Sequence, residues 1–274
     1  MPLNLSVVIT SFNSALTLAD TIESLLKLDV TEAPSEIIVV DNASSDRSAC
    51  IAESYDMIKL LRSSENRGLA TANNMGAAEA SGNSILFLNP DTVILPGALH
   101  SLMKFEEKHP EAALLGPAMV DSNGIIQSTA RTWPTLLDIA LRRTFLGKLP
   151  GSERRLQKHL NPVDTDHPAM VDWIVGAAMW LTPAGREKIG FMSEKYFLYF
   201  EDVQWCIRAN KAGMAVWYVP EAVIRHDSRR ASAGGSVKAL WYHLKSMVRF
   251  FSEYPCAITG KCGTSRTKEG RFPS

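Results

Sequence analysis

The stretch Ser84-Ile85-Leu86-Phe87-Leu88-Asn89-Pro90-Asp91-Thr92 decides the fold of this chain. Four consecutive apolar residues, Ile85 to Leu88, predict a short strand that is buried on both faces, as the strands of parallel sheets are. Pro90 has no N–H group for the ladder and therefore ends the strand. Asp91 then lies where the chain leaves the sheet, at the edge that binds ligands in open α/β sheets. An acid there is also a common turn or cap residue, so its role depends on what the other strands bring to this edge.

Two further apolar runs lie upstream, at 6–10 and 37–40. Between them, four leucine or isoleucine residues (Leu18, Ile22, Leu25 and Leu26) recur at the spacing of an amphipathic helix. Two strands that are apolar throughout and are joined by a helix are typical of a parallel βαβ unit. Strand and helix patterns continue to a last helix at 237–251, so the sequence predicts an α/β protein with a mostly parallel sheet flanked by helices.

Composition restricts the class of protein. The chain has 274 residues, of which 46% are apolar and 21% charged, as expected for a domain with a sizeable core. Its 29 basic and 29 acidic residues balance, which argues against nucleic acid as a partner. No two cysteines form a CxxC pair, so a zinc site is not expected. The N-terminus lacks a signal-peptide pattern and the longest apolar stretch, 173–181, is too short to span a membrane, so we expect a cytoplasmic protein.

Ionisable residues also follow other strands and open a late helix. Asp41 ends the run at 37–40, and His226 ends the last strand pattern. Glu201 and Asp202 begin a helix directly after five aromatic or apolar residues, 196–200. Acids at a helix N-terminus complement the helix dipole, which lowers their pKa, whereas apolar surroundings raise the pKa of a carboxyl group. The sequence leaves both interpretations of this pair open.

Taken in order, these segments resemble the family 2 glycosyltransferases of GT-A fold, in particular the bacterial rhamnosyltransferase-type branch that builds cell-surface polysaccharides. The resemblance covers roughly residues 5 to 250. It rests on Val-Val-Ile-Thr-Ser-Phe-Asn (7–13), Val-Val-Asp-Asn-Ala-Ser-Ser-Asp (39–46), Asn66-Arg67-Gly68, Asn89-Pro90-Asp91, Phe200-Glu201-Asp202 and His226. It implies one GT-A domain at 1–235, with a nucleotide-sugar-binding half at 1–120 and an acceptor-binding half at 121–235, followed by a C-terminal helix and tail at 236–274.

The resemblance also implies a site for a nucleotide-diphospho-sugar donor. The residues that it assigns to this donor are Thr10, Asn13, Asp41, Arg67, Gly68, Asn89 and Asp91. The Asp41 carboxylate only accepts hydrogen bonds, which suits the imide N–H of uracil or thymine; the alternative is a local turn. Arg67 and the backbone N–H groups at the following helix start would hold phosphate, and the alternative is an exposed arginine beside a turn glycine.

A divalent metal ion, Mn²⁺ or Mg²⁺, is implied in the same way. Asn89 stands where the family's Asp-x-Asp motif has its first acid, so Asp91 is the remaining carboxylate ligand and His226 the expected second ligand. Mg²⁺ is typically held by one or two carboxylates together with substrate phosphates. Imidazole suits Mn²⁺ at least as well. A structural role is the alternative for His226.

The implied activity is an inverting transfer of a sugar, such as L-rhamnose from dTDP-rhamnose or the sugar of a UDP-sugar, to a hydroxyl of a glycan or polyprenyl-linked acceptor. We expect Asp202 to be the base and Glu201 to support it, and the reverse assignment stays open. A nicotinamide oxidoreductase would have a GxGxxG motif, and a nucleotidyltransferase a glycine-rich loop, after the first strand; neither is present. A non-catalytic nucleotide-sugar-binding protein remains as the alternative, because Asn89 replaces an acid.

Two segments indicate peripheral attachment to the inner face of the plasma membrane. The segment from Arg131 to Lys158 is basic and contains aromatic residues, and the helix pattern at 237–251 combines Trp241 with nearby lysines. Basic residues together with aromatic ones are typical of helices that lie in the interface of an anionic membrane. The alternative is that the helix packs on its own domain.

Overall fold

The computed structural model describes residues 3–143, 151–160, 166–226 and 237–259, and a mixed sheet forms its centre. The strands are β1 (Leu3–Ser11), β2 (Pro34–Asp41), β3 (Ile58–Arg62), β4 (Ser84–Leu88), β5 (Thr92–Ile94), β6 (Ala112–Val120), β7 (Ile126–Gln127), β8 (Ala130–Arg131), β9 (Ala169–Met170), β10 (Trp173–Ile174), β11 (Ala178–Leu181) and β12 (Ala215–His226). The helices are α1 (Leu18–Leu26), α2 (Ser48–Glu53), α3 (Leu69–Ala78), α4 (Ala98–Lys108), α5 (Leu136–Arg143), α6 (Ser152–Leu160), α7 (Pro183–Ile189), α8 (Glu201–Lys211) and α9 (Val237–Glu253), and a short 3₁₀ helix spans Pro255–Thr259.

The strand predicted at Ile85 to Leu88 is confirmed, and every residue of β4 is buried. In the sheet order β3-β2-β1-β4-β11-β6-β12-β5, β4 lies parallel to β1 and antiparallel to β11. Strands β6 and β12 are parallel to each other, and β6 is antiparallel to β11. The strands β1, β2, β4 and β12 therefore end at the same edge of the sheet, as the sequence predicted from their terminal polar residues.

The core lies in two layers, one on each face of the sheet. Successive side chains of a strand point to opposite faces, and β4 divides accordingly. Ile85 and Phe87 join the layer that contains α3, α8 and the end of α9, whereas Leu86 and Leu88 join the layer that contains α1 and α4. Fully apolar strands are required here because both faces of the sheet are covered.

Helix α9 differs from its predicted form. The apolar residues recur at helical spacing, which predicts one apolar side, but the structure covers that side only at its C-terminal end. Phe250 and Phe251 are buried in the core, while Leu240, Trp241, Leu244 and Val248 are exposed. The expectation of packing on the domain therefore holds for the C-terminal end of the helix, and the residues before it form an outward apolar face. The boundary at 235/236 stays a prediction, because residues 227–236 lie outside the described part of the chain.

The basic segment from Arg131 to Lys158 is more regular than its sequence indicated. It contains β8, α5 and α6, and β8 pairs with β10 in a small second sheet. Residues 144–150 of this segment lie outside the described residues. In the described part of the chain, no helix has both the length and the apolar composition needed to cross a bilayer.

Candidate active site

Asp91 and His226 come together although 135 positions separate them in the sequence. Strand β5 pairs with the end of β12 in the register His226↔Thr92, which brings the residue before Thr92 next to the histidine. His226 Nε2 lies 3.5 Å from Asp91 Oδ1. This separation is longer than a hydrogen bond, and Asp91 Oδ1 is buried without a hydrogen-bond partner among the described residues.

Gln127 orients the His226 ring. Its Nε2 donates to the backbone carbonyl of His226 at 2.8 Å, so its Oε1 faces His226 Nδ1 at 3.0 Å. This arrangement assigns the proton of a neutral imidazole to Nδ1 and leaves the lone pair of Nε2 directed at the Asp91 carboxylate. Two acceptors that face each other in this way favour a metal ion or a proton between them, and a hydrogen bond from the other ring nitrogen is the usual support of a metal-binding histidine. The pair therefore fits the expected divalent metal ion, although the described residues contain no cluster of three or more ligand-type side chains.

Asn89 follows β4 directly and is held by two hydrogen bonds of its backbone. Its backbone N–H donates to Ala177 O at 2.9 Å, and its carbonyl accepts from Thr92 Oγ1 at 2.8 Å. These bonds fix the turn that carries Asp91. The amide side chain of Asn89 is half-buried and makes no hydrogen bond within the described residues, so it is the part of Asn89 that a donor would meet.

Asp41 forms the predicted local turn with one carboxylate oxygen and leaves the other without a partner. Its Oδ2 accepts from Ser44 N at 3.1 Å, which is the local turn, whereas its Oδ1 is buried without a hydrogen-bond partner in the described structure. Ser11 Oγ, at the paired position of β1, is also buried and unpartnered there. A buried acceptor and a buried hydroxyl at adjacent strand ends match the imide edge of a pyrimidine base, which offers an N–H and carbonyl oxygens.

Asn13 and Thr10 support this edge in different ways. Asn13 has a left-handed backbone (φ 53°), and its Oδ1 accepts from Ser45 N at 2.8 Å, which ties the loop after β1 to the loop after β2. The Thr10 hydroxyl is buried and donates to Asn73 Oδ1 at 2.6 Å. This bond attaches α3 to β1, so the structure gives the Thr10 side chain a packing role rather than an open position at the donor edge.

The Asn66-Arg67-Gly68 loop uses its own backbone donors. The N–H groups of Arg67 and Gly68 donate to the side chains of Asn42 and Asn66, and Leu69 N donates to Phe197 O. These three N–H groups already have acceptors within the protein, so they are not available to a phosphate, and the expected phosphate contact stays a prediction for the rest of the helix start. The Arg67 side chain is exposed and has no partner among the described residues, so it also retains the expected role.

Glu201 and Asp202 begin α8 after a strained turn. Tyr199 and Phe200 both have left-handed backbones, at φ 66° and 68°. Asp202 Oδ2 accepts from Gly176 N at 3.0 Å and Oδ1 from Val203 N at 2.8 Å. Asp202 keeps some exposed surface although it lies deep among protein atoms, whereas Glu201 is 4% exposed and its Oε2 has no hydrogen-bond partner in the described structure.

Desolvation decides the electrostatics of this pair. Burial raises the pKa of Glu201, and the neighbouring charge of Asp202 raises it further. Burial also raises the pKa of Asp202, against the opposing effects of the Val203 and Gly176 N–H groups and of Arg131. Loss of hydration therefore outweighs the helix dipole, and the pair is suited to proton transfer rather than to simple capping.

Three residues of the site have no clear signal in the sequence. Gln127 meets His226 across 99 positions, Gly176 holds Asp202, and Arg131 lies near Asp202 on β8. The only local pattern near Gln127 is the pair Asn123-Gly124, which is typical of a hairpin turn, and Arg131 was predicted only as part of a basic segment. Each contact depends on chain segments that are far apart in sequence.

The site and the fold agree with a known family. Residues 6–173 match the model of the Glycosyl transferase family 2. This chain belongs to that family. Members of the family are glycosyltransferases, and this protein is one of them.

Relatives of known name support the same assignment. The N-acetylglucosaminyl-diphospho-decaprenol L-rhamnosyltransferase of Mycobacterium tuberculosis (strain ATCC 25618 / H37Rv) is 28% identical over 238 residues, which cover 81% of this chain and 76% of that protein. Rhamnosyltransferase WbbL of Escherichia coli (strain K12) is 27% identical over 242 residues, covering 85% of this chain and 88% of that protein. The crystal structure of GalNAc-T7 with UDP, GalNAc and Mn²⁺ matches with a TM-score of 0.64 at 18% identity, over 94% of this chain and 51% of that one. This likeness confirms the GT-A fold expected from the sequence.

Gly68 tests how closely the donor loop and the acid-bearing turn depend on each other. A Cβ atom at Gly68 would lie 2.4 Å from Phe197 O, and its φ of +87° disfavours any side chain. Gly68→Ala should therefore lower the free energy of unfolding and also slow sugar transfer, because the turn before Glu201 must move. Gly124→Ala is the matched control, since its φ is +78° and its Cβ would meet no atom within 4 Å.

The control measures the cost of an alanine at positive φ, about 1–2 kcal/mol in the left-handed region. The backbone of Gly68, with ψ 168°, excludes a side chain more strictly, so Gly68→Ala should lose more stability than the control. Chemical denaturation and initial rates measured on both variants give the comparison. Equal losses of stability in the two variants, with normal transfer by Gly68→Ala, would show that the close approach to Phe197 contributes neither to stability nor to sugar transfer.

Proposed function

We propose that this protein transfers a sugar, with inversion, from a nucleoside-diphosphate sugar to a hydroxyl of a glycan or polyprenyl-linked acceptor in cell-surface polysaccharide synthesis. Two relatives are rhamnosyltransferases, and one of them is named for a diphospho-decaprenol acceptor, which favours L-rhamnose from dTDP-rhamnose as the donor sugar. A UDP-sugar is the alternative donor. The unpartnered Oδ1 of Asp41 and the Ser11 hydroxyl suit thymine and uracil equally.

The observation that carries the proposal is the short link between the acid pair and the donor edge. Gly176 N donates to Asp202 Oδ2, and the carbonyl oxygen of the following residue, Ala177, accepts from the backbone N–H of Asn89. Two neighbouring residues therefore hold both the proposed base and the proposed donor-binding turn. The distance between the base and the turn is fixed as a result. Fixed placement of two reactants supplies a large part of the rate enhancement in such transfers.

Asp202 takes the proton of the acceptor hydroxyl as its oxygen attacks the anomeric carbon on the face opposite the leaving diphosphate. Asp202 is better placed for this than Glu201, because it keeps exposed surface and Glu201 does not. The raised pKa of Glu201 keeps that carboxyl protonated while Asp202 is ionised. One negative charge, located on the reachable carboxylate, is then the working state of the pair.

Asp91 and His226 would hold the metal ion, with Gln127 fixing the ring of the histidine. A divalent cation bound there would offset negative charge on the leaving diphosphate. The crystal structure of GalNAc-T7, which has a similar fold, contains Mn²⁺, and this supports the choice of Mn²⁺ or Mg²⁺ as the metal ion. Asn89 in place of an acid leaves Asp91 as the carboxylate ligand.

Substitution of the acid pair tests the base. Asp202→Asn should bind the donor normally but transfer sugar at least about a hundredfold more slowly, because general-base catalysis is lost. Glu201→Gln, which has the same shape and neutral charge as protonated Glu201, should retain more activity. Initial rates with a panel of dTDP- and UDP-sugars, together with donor affinities from calorimetry, give the comparison.

The pH profile provides a second measure of the same base. Because the base must be ionised and burial raises the pKa of Asp202, the wild-type rate should fall with decreasing pH above the range in which an ordinary aspartate titrates. An inactive Glu201→Gln beside a normal Asp202→Asn would assign the base to Glu201. Wild-type protein that binds donors but transfers no sugar would favour the non-catalytic nucleotide-sugar binder.

Removal of the metal tests the other half of the site. Activity should be lost in EDTA and restored by Mn²⁺ or Mg²⁺, and Asp91→Asn should lose both transfer and metal-dependent binding of the donor. Titration of Mn²⁺ into protein with dTDP or UDP, followed by calorimetry, measures binding directly. Asp56→Asn, an exposed aspartate in the loop after α2, is the control for loss of one negative charge. Full activity of Asp91→Asn in chelator would overturn the metal assignment.

We further propose that the protein attaches peripherally to the inner face of the plasma membrane through the outward face of α9. The exposed residues Leu240, Trp241, Leu244 and Val248 form this face, and Lys245 lies over the Trp241 ring at 5.2 Å. An apolar stripe with a basic flank is typical of helices at an anionic interface. The basic segment is the weaker candidate, because Arg155 is bound within the domain by Asp138 at 2.8 Å.

Sedimentation with phosphatidylglycerol vesicles tests this attachment. The double variant Trp241→Ser/Leu244→Ser should bind at least about tenfold more weakly, because burial of one large apolar side chain contributes about 1.5–3 kcal/mol. Ile125→Ser removes a similarly exposed apolar side chain from the β6–β7 hairpin and should bind normally. Binding of wild-type protein should weaken at high salt. Equal binding of all three proteins would exclude α9 as the attachment site, and no binding of wild-type protein even at low salt would leave a soluble acceptor as the better interpretation.

A further inference from the structure

A cluster of basic side chains lies on the acceptor half of the protein beside the acid pair. This arginine cluster consists of Arg131, Arg142, Arg155 and His159, and it is formed by β8, α5 and α6. Helices α5 and α6 contact each other, and α6 contacts β8. His159 Nδ1 lies 3.0 Å from Thr132 Oγ1, which joins α6 to the residue that follows β8.

Arg131 is the most constrained member of the cluster. Its guanidinium lies 5.1 Å from the centre of the Trp173 ring, and its Nε and Nη2 donate to Ser128 O at 3.3 and 3.1 Å. The side chain is half-buried, and no carboxylate lies within ion-pair distance of it in the described part of the chain. A fixed, partly desolvated cation without an ion pair is costly unless an anion binds to it.

The charges around Arg131 increase this cost. Burial, together with the nearby charge of Arg142, lowers the pKa of Arg131 to about 10, while Asp202 opposes the shift. Burial lowers the pKa of His159 to about 4, so this residue is neutral at pH 7. Asp138 is the acid that forms an ion pair within the cluster, and its partner is Arg155. Arg131 is therefore exposed to the positive charge of Arg142 and the negative charge of Asp202 at the same time.

The position of Arg131 indicates which substrate brings the anion. Arg131 pairs with Trp173 across the β8–β10 ladder, and the chain from Trp173 continues to Gly176, which binds the proposed base. The residues expected to hold the donor diphosphate, Asp91 and Arg67, lie in the loops before β5 and before α3, and no hydrogen bond or ion pair joins Arg131 to either of them in the described part of the chain. The cation thus belongs with the acceptor side of the base.

We propose that Arg131, held by Trp173 and Ser128 and reinforced by Arg142, binds a phosphate group of the acceptor. The ligand class is a sugar joined through phosphate or diphosphate to a lipid, with the phosphate on Arg131 and the accepting hydroxyl at Asp202. A planar guanidinium suits this task, because it can donate two parallel hydrogen bonds to phosphate oxygens. This inference rests on the proposed function and adds that a neutral glycan is a poor acceptor.

Kinetics with two acceptor probes test the inference in full-length protein. The probes are a short-chain N-acetylglucosaminyl diphosphate lipid and the octyl glycoside of N-acetylglucosamine, which lacks the diphosphate. Arg131→Met preserves the length and apolar contact of the side chain but removes its charge. We expect the KM for the diphosphate probe to rise about tenfold or more, with the KM for the donor and for the neutral glycoside unchanged. Arg131→Lys should recover part of the loss, because it restores charge without the planar fork.

Arg62→Met is the matched control. Arg62 is an exposed arginine on the edge strand β3, and it forms an ion pair with Glu53 of α2. It should behave as wild type with both probes. If Arg131→Met does not fold, as judged by thermal melting, Arg142→Met should show the same selective rise in a weaker form.

Direct binding separates this inference from the proposed function. Inorganic pyrophosphate, titrated in EDTA, should bind wild-type protein about tenfold or more tightly than Arg131→Met, even if no sugar transfer is found. Equal loss with both acceptor probes would overturn the inference and give Arg131 a role in positioning Asp202. A rise in the KM for the donor alone would also overturn it and assign Arg131 to the donor diphosphate. Loss of binding to phosphatidylglycerol vesicles with unchanged pyrophosphate binding would overturn it in favour of a lipid-headgroup contact.

Discussion

The hydrogen bond from Gly176 N–H to Asp202 is the interaction on which the rest of the site depends. Gly176 lies between β10, which pairs with the arginine-bearing strand β8, and β11, which pairs with β4. A Cβ atom at this position would lie 3.3 Å from the Asp202 side chain, so the absence of a side chain allows the close approach. Gly176 and its neighbour Ala177, which accepts from Asn89 N, thereby connect the acid pair, the turn that carries Asp91 and the small sheet that carries Arg131.

Burial and backbone hydrogen bonds act on Asp202 in opposite directions. Burial raises its pKa, whereas the N–H groups of Val203 and Gly176 stabilise the ionised form. A base needs a pKa that is high enough to accept a proton and low enough to be ionised at the working pH. Glu201 Oε2 has no hydrogen-bond donor among the described residues and Glu201 is less exposed, so the same desolvation keeps this carboxyl group protonated. Two adjacent acids thus acquire different states from their different access to backbone N–H groups and solvent.

The left-handed turn at Tyr199 and Phe200 shows how the structure maintains this arrangement. Non-glycine residues in this conformation are strained and persist only where the surroundings determine them. Phe197 O accepts from Leu69 N, Leu198 O accepts from Ser246 Oγ at 2.9 Å, and the Phe197 ring stacks on Tyr242. The buried face of α9 is therefore part of the support of the acid pair, while its outward face remains free for the proposed contact with the membrane. An attachment at α9 would place that contact on the element that holds the turn.

Much of the fold follows from local sequence pattern. Three features were predictable because each depends on neighbouring residues. They are the buried strand at Ile85 to Leu88, the end of that strand before Pro90, and the helix that begins at Glu201. The family motifs likewise indicated that Asp91 and His226 act together. The burial of α9 at its C-terminal end alone was not predictable, since periodicity reports which residues are apolar and not which of them the domain covers.

The sequence by itself determined the α/β class, the positions along the chain of the strands that end in polar residues, and the identity of the candidate acids and histidine. Only the tertiary structure decided the contacts between them: Gln127 on His226, Gly176 on Asp202, Phe197 against Gly68, and Arg131 over Trp173. It also decided that backbone donors near Arg67 serve the loop itself and that the Thr10 hydroxyl serves α3. The physical reason is that hydrogen bonds and desolvation depend on distances of a few ångströms between segments far apart in the chain, and strand register and helix packing set those distances.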